Sequence, residues 1–399
     1  MDFGFTAAQE ALRSEIRRWL DANLPPADRD TSRRVFASVA EEFAYLTAWQ
    51  RRQFSGGWVG LQWPREYGGR GLSLMEQAIC QEELARARAP QLANRVGINL
   101  VGPTLFTHGS ETQKRRYLPK ILDAEEIWCQ LFSEPDAGSD LAALRTRAEA
   151  DGDTFVVSGQ KVWTSYAQFA RFGILLARTD PTAAKHRGLI YFIVDMRAPG
   201  IAIRPLKQLT GSQEFNEVFL DAVRVPRENV IGELNEGWRI AQTTLAHERG
   251  TAFPFKEQVI HKIAVDELVE LARRWPRPEE PARRDPRQRQ RIAQSVIEVE
   301  IMRLHNYKMM TKLDRGEMPG PESSIVKLFW ADLTQRLHDT ALEVLGPYGV
   351  AGREQSWPAP TSRWQVSALW ARSGSIAGGT SEIQRNIIAQ RLLGLPRTA

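Results

Sequence analysis

Phe132-Ser133-Glu134-Pro135-Asp136-Ala137-Gly138-Ser139-Asp140, followed by Gly159-Gln160-Lys161-Val162-Trp163-Thr164-Ser165 and, far downstream, Gly378-Gly379-Thr380-Ser381-Glu382-Ile383-Gln384-Arg385, decides how this chain is read. The first two stretches lie in a region, about 126 to 235, where apolar residues recur with a period of two. Thr154 to Gly159, Phe172 to Ala177, Leu189 to Val194 and Glu217 to Leu220 read there as short strands between turn residues. On either side the period is helical. Ala7 to Leu20, Glu41 to Phe54 and Leu74 to Ala87 repeat apolar residues at three and four, and the same spacing returns from Gly237 to the end. The glycine-dense loop Trp63-Pro64-Arg65-Glu66-Tyr67-Gly68-Gly69-Arg70-Gly71 must bend sharply. These shifts divide the chain into a helical domain (1–125), a β domain (126–235) and a second helical domain (236–399). No internal repeat is present.

The bulk numbers narrow the function. With 399 residues, 42% hydrophobic and 25% charged, the chain has the composition of an ordered globular protein. No apolar run approaches the roughly 20 residues needed to span a bilayer, and Met1 to Phe5 lacks a basic segment leading into an apolar one. The expectation is a cytoplasmic protein. Two cysteines, Cys80 and Cys129, and six scattered histidines with no ligand-spaced pair give no basis for a disulfide framework or a metal site. The net charge is +5. Much of the excess sits between Arg273 and Arg291, where prolines 276, 278, 281 and 286 interrupt any helix, so a solvated connection between helices explains it. A landing surface for a polyanionic ligand is the second reading, and nucleic acid the third.

The quoted stretches resemble the flavin-contacting signature of the acyl-CoA dehydrogenases. The Trp63 to Gly69 loop and Glu217-Val218-Phe219-Leu220-Asp221-Ala222-Val223-Arg224-Val225-Pro226 also look like family signatures. The resemblance covers essentially residues 1 to 397 and implies an α+β fold. Its parts would be an N-terminal helical domain, a middle β-barrel or sandwich-like domain and a C-terminal four-helix bundle, with FAD as cofactor. A flavin ring needs donors along its edge and a flat partner on one face. By resemblance, Gln130, Phe132 and Ser133 face the flavin edge through backbone and side chain, Trp163 covers the ring, and Thr164 and Ser165 donate toward N5 and O4. Ser139 contacts the cofactor or the CoA pantetheine. Read alone, Trp163 is better explained as core and Gly138 to Asp140 as a plain turn. Ser381 with Gln384 forms a capping box at the start of a helix that Gly394 and Pro396 end. The resemblance adds that Thr380 and Glu382 approach the FAD adenosine and that the Gly378 amide polarises a substrate thioester carbonyl.

The family usually places its catalytic glutamate where this chain has Gly378. Relatives resembling the isovaleryl and long-chain enzymes carry the base on an earlier helix, at a Glu-Arg pair, and here that pair is Glu248-Arg249. Trp238, Ala241, Leu245 and Glu248 step by three and four, so Glu248 continues an apolar stripe. Partial desolvation there makes a carboxylate a better base. An ion pair inside a helical bundle is the bland reading of Glu248. His247 lies one residue off the stripe. Arg249 resembles a residue near the substrate thioester. The chain also lacks the Arg-x-x-Phe-Gly stretch that reaches a neighbour's FAD in many relatives, and it carries Glu343 where a family glutamine stands. The expected activity is FAD-dependent oxidation of an acyl-CoA to a trans-2-enoyl-CoA, with electrons passed to an electron-transfer flavoprotein. The expected assembly is a homodimer, a homotetramer or a heterotetramer with a homologous subunit. The competing readings are a non-catalytic or half-site subunit and a flavin-containing DNA-binding relative.

Overall fold

A computed structural model of the chain describes residues 4–26, 29, 36–248, 252–275, 285–315, 317, 320–350 and 361–396. The chain forms two compact units. One comprises Phe36–Leu72 and Pro90–Glu248, the other Met1–Val35, Ser73–Ala89 and Arg249–Ala399.

The first unit holds α2 (Val39–Ser55), α4 (Gly102–His108), α5 (Glu111–Leu122), a seven-stranded sheet and α6 (Gly237–Glu248). The strands are β1 (Trp128–Leu131), β2 (Arg147–Asp151), β3 (Thr154–Ser165), β4 (Phe172–Arg178), β5 (Leu189–Asp195), β6 (Ile201–Pro205) and β7 (Phe215–Pro226). Their order is β1-β4-β2-β3-β7-β6, with β5 also paired to β4. β4 and β5 read as unbroken apolar runs because both of their faces are buried. Alternation along β4 sends Phe172, Ile174 and Leu176 into a core shared with Trp63, Val101, Leu118, Ile121 and Ile240. Leu175 and Ala177 face a second core with Phe155, Val157, Val218 and Val223 of β3 and β7. The predicted strands form: β4 and β5 end one residue beyond the predicted runs, while β3 and β7 extend well past them to 12 residues each; β1, β2 and β6, of four or five residues, are too short to announce themselves. In the glycine-dense loop, Trp63 donates from Nε1 to the Ile98 carbonyl at 3.2 Å. A Cβ on Gly69 would lie 2.1 Å from the Trp63 carbonyl oxygen, so the loop closes only over glycine.

The second unit is helical: α1 (Ala7–Asn23), α3 (Leu74–Arg86), α7 (Ala252–Arg274), α8 (Pro286–Asp314), α9 (Glu322–Leu345), α10 (Thr361–Ala371) and α11 (Ser381–Ile387). Buried Glu83 on α3 takes a two-pronged hydrogen bond from Arg17 on α1, 2.6 and 2.8 Å, which ties the two helices. Leu268, Val299, Trp330, Leu333, Leu337 and Trp364 form the core of the long helices. Residues 276–284, the middle of the Arg/Pro run, lie outside the described residues; α7 stops at Arg274 and α8 begins at Pro286. Arg291 at the edge of that run hydrogen-bonds Glu343 on α9. Two positions that set this chain apart in sequence therefore pair with each other.

Two histidines of this unit are withdrawn from solvent, His261 buried and His338 half-buried. His261 Nε2 lies 2.7 Å from the Thr334 hydroxyl, and His338 Nδ1 donates to the Thr334 carbonyl at 2.7 Å. Burial pulls both imidazoles down to about 4. The unfolded chain, with ordinary histidines near 6.5, then binds more protons than the folded one between those values. Stability is complete above pH 6.5 and falls as the pH drops toward 4, by about 3 kcal/mol per histidine at most. Urea unfolding at pH 7.5 and pH 5 should show this loss, and His261→Gln with His338→Gln should flatten it; an equal loss in the double variant assigns the acid sensitivity elsewhere.

Candidate functional site

β3 departs from regular geometry where the signature residues lie. Its pairing with β7 shifts register between Lys161 and Thr164, and Trp163 takes φ of +61°. That backbone costs a residue with a side chain about 1 kcal/mol or more. The result is an indole 60% exposed, held edge-on to Phe215 with ring centroids 6.1 Å apart. Trp163 is therefore not a core tryptophan. Next to it Thr164 is buried and its hydroxyl has no hydrogen-bond partner, as has Oδ1 of buried Asn216 opposite it on β7. A buried hydroxyl without a partner is costly, and strain of this kind concentrates where ligands bind.

The loop after β1 is fastened to this strand by a buried cation. Lys161, fully buried, donates from Nζ to the Phe132 carbonyl at 3.0 Å, to Glu134 Oε1 at 2.9 Å and to the Leu176 carbonyl at 2.8 Å. Glu134 also accepts from the amides of Arg145 at 2.6 Å and Thr146 at 2.9 Å. Burial lowers Lys161 to about 8, opposed by Glu134. Burial raises the Glu134 carboxyl, but Lys161 and these amides outweigh it and hold the group low. The Val162 amide donates to the Ser133 carbonyl at 2.9 Å, joining the end of β1 to β3.

This arrangement brings Gln130, Ser133 and Trp163 to Ser165 together. Gln130, Ser133 and Ser165 are half-buried, and their side chains make no hydrogen bond among the described residues. Phe132 packs its ring in the core edge-on to Tyr191 and gives its carbonyl to Lys161, which leaves its backbone amide as the group that could meet a flavin edge. Ser139 is exposed in the turn, where Asp140 pairs with Lys185. Lys161 is the residue that sequence reasoning passes over, although it sits inside a signature stretch. The signal that finds it is parity: in β3 the inward positions run Phe155, Val157, Gly159, Lys161, and a charge at an inward position needs a partner.

α6 lies on β5 and α4. Ile240, Ala241 and Thr244 are fully buried, while Trp238 and Leu245 pack against the same core. The Thr244 hydroxyl lies 2.8 Å from that of Thr104 and 2.9 Å from that of Tyr191, a buried chain of three hydroxyls that fixes the helix against strand and neighbour. Glu248 is the last residue of α6, four positions beyond Thr244; its side chain and all of Arg249 lie outside the described residues. His247 is exposed.

In the helical unit, Gly378 and Gly379 both have left-handed backbone, φ 65° and 89°. The capping expectation is corrected by one residue. Thr380, not Ser381, caps α11, accepting from the Ile383 amide at 3.3 Å, and Gln384 reaches back to carbonyls instead of closing a box. Glu382 is exposed, with its carboxyl held low by backbone N–H at the helix start and by Thr380. Among the described residues no group of three or more His, Cys, Asp or Glu side chains is placed to hold a metal, and no helix is long and apolar enough to cross a membrane.

Three family models match the chain in order: the acyl-CoA dehydrogenase N-terminal domain over 6–125, the middle domain over 129–223 and the C-terminal domain over 235–393. Acyl-CoA dehydrogenase IpdE1 of Mycobacterium tuberculosis is 41% identical over 394 residues, 98% of each chain. Among solved structures, the Tcur3481-Tcur3483 steroid ACAD matches with TM-score 0.86 at 33% identity over all of both chains. The ChsE4-ChsE5 complex from Mycobacterium tuberculosis matches with TM-score 0.85 at 32% identity, again over all of both. The chain belongs to the acyl-CoA dehydrogenase family. It is an oxidoreductase acting on acyl-CoA, and the family's cofactor is FAD. An exposed indole face beside a buried hydroxyl that lacks a partner fits a flavin at β3.

Proposed function

We propose that this chain oxidises a saturated acyl-CoA to the trans-2-enoyl-CoA, with Glu248 removing the α proton. The observation that carries this reading is the pair of positions where relatives keep the base: 378 is a glycine with left-handed backbone, while α6, fixed by the Thr104-Thr244-Tyr191 hydroxyls, ends on Glu248. FAD supplies the acceptor for the β hydride, and an electron-transfer flavoprotein takes the electrons onward. Trp163 covers one face of the ring, while Ser133, Thr164 and Ser165 supply donors along its edge. Gln130 borders the same edge, and Ser139 meets cofactor or pantetheine. Thr380 and Glu382 serve the adenosine end. The Gly378 amide holds the thioester carbonyl so that charge developing on its oxygen finds a donor, and Arg249 orients the base. Anaerobic titration of the purified chain with a panel of acyl-CoAs, followed by flavin absorbance, tests this; a flavin that no acyl-CoA bleaches removes the reading.

Trp163→Ala should retain much less FAD than wild type when equally folded protein is compared. The indole is mostly exposed, so the loss comes from the missing ring face and not from a core cavity. Equal flavin content would displace the ring from this strand.

We further infer an acyl group of steroid-like bulk and a second, homologous subunit. The two similar structures named above, a steroid enzyme and a two-component complex, support it. So does the exposed apolar stripe Ile297, Ile301 and Leu304 at helical spacing on α8. Activity that appears only on co-expression with a homologous chain favours a half-site subunit; full activity of the isolated chain removes that reading.

A further inference from the structure

The turn that carries Gly378 is held from its carbonyl side by two side chains the proposed reaction does not use. Lys327, in the second turn of α9, donates from Nζ to the carbonyls of Gly374 and Gly379, both at 2.8 Å. Gln384, fully buried on α11, donates from Nε2 to the carbonyls of Gly378 at 3.1 Å and Gly379 at 3.2 Å. Gln384 accepts a cost to do so, since its Oε1 is buried without a partner. The position is closed to other arrangements: a Cβ on Gly379 would lie 2.7 Å from Gln384 Nε2. The amides of Ile376 and Ala377 turn back to the Ser373 carbonyl. The next three amides, of Gly378, Gly379 and Thr380, donate to nothing among the described residues.

A peptide is polarised as a unit, so a donor on its carbonyl makes its own N–H a stronger donor, and a cation does this more than a neutral amide. The Gly379 amide shares its peptide with the carbonyl of Gly378, which Gln384 holds. The Thr380 amide shares its peptide with the carbonyl that both Lys327 and Gln384 hold. The Gly378 amide is placed by the same clamped turn. A surface lysine kept only for solubility would not spend two hydrogen bonds on the carbonyls at the two ends of one short turn.

We propose that Lys327 is a positioning residue of the oxidation, which acts through the Gly374 and Gly379 carbonyls to fix the turn whose Gly378 amide receives the thioester oxygen. This rests on the role given above to the Gly378 amide, not on Glu248. Gln384 is the neutral half of the same clamp.

The test compares two ligands on FAD-loaded protein by calorimetry: the 2-enoyl-CoA product and the matching 2-alkenyl-CoA thioether, which lacks the carbonyl. The chain length is that which the FAD-loaded wild type binds most tightly in the same calorimetric assay. Wild type should prefer the thioester by roughly tenfold or more. Lys327→Met should bring the two affinities close to parity, leaving thioether affinity and flavin content unchanged, and Lys327→Arg should keep most of the preference. Lys327→Met with an intact preference overturns the proposal. So does a loss of both ligands and of flavin in Lys327→Met and Lys327→Arg alike, which makes the lysine a structural staple. Wild type with no preference for the thioester removes the proposal together with the role of Gly378, whatever Glu248 does. A preference present in wild type and lost in Lys327→Met, in a chain whose flavin no acyl-CoA reduces, supports the clamp and removes only the oxidation.

Discussion

Glu248→Gln is expected to fold, to bind FAD and to lose most of its acyl-CoA-dependent flavin reduction. The amide keeps the shape of the carboxylate but cannot accept the α proton. General-base removal lowers rates by about 10² to 10⁴, or about 3 to 5 kcal/mol of transition-state stabilisation. Stopped-flow reduction of the bound flavin by a good substrate measures the step directly. A rate within a few-fold of wild type would remove Glu248 as the base and turn attention to His247 or to a partner subunit. Moving the carboxylate to 378 is a poor rescue, because that backbone is left-handed, φ 65°, and a glutamate there starts with strain that glycine lacks.

Lys161→Met should cost the β-containing unit about 3 to 5 kcal/mol, because it leaves the Glu134 carboxylate buried without its cation. The loss should appear in urea unfolding and in flavin retention together, since the same lysine holds the Phe132 carbonyl beneath the loop that bears Ser133. Lys161→Met with Glu134→Gln should recover part of it, as partners in one network do not add. If each single variant costs under about 1 kcal/mol, the pair does not secure the loop.

Much of this is legible in the sequence because the relevant signals are local. β4 and β5 announce themselves as apolar runs between turn residues, and α1, α2 and α3 by their spacing. Ser381 and Gln384 mark a helix start within one residue, although the cap itself is Thr380 and only the conformation of Gly378 and Gly379 decides that. Other features depend on partners far along the chain. Nothing near Lys327 says that it reaches Gly374 and Gly379, and nothing near Thr244 announces Thr104 and Tyr191. The fate of Phe132 turns on its ring pointing to Tyr191, a choice between two faces that a loop residue does not declare. The exposure of Trp163 turns on a register shift, which alternation along a strand cannot foresee.

That register shift bears on how the chain evolves. Trp163 occupies a conformation its own side chain disfavours, so position 163 is one where selection for a stable apoprotein and selection for cofactor retention pull in opposite directions. Glycine there would relieve the backbone while deleting the ring face. In a screen for heat-resistant variants run without added flavin, glycine should become enriched at 163, and the variants that survive the highest temperatures should be those that hold FAD worst.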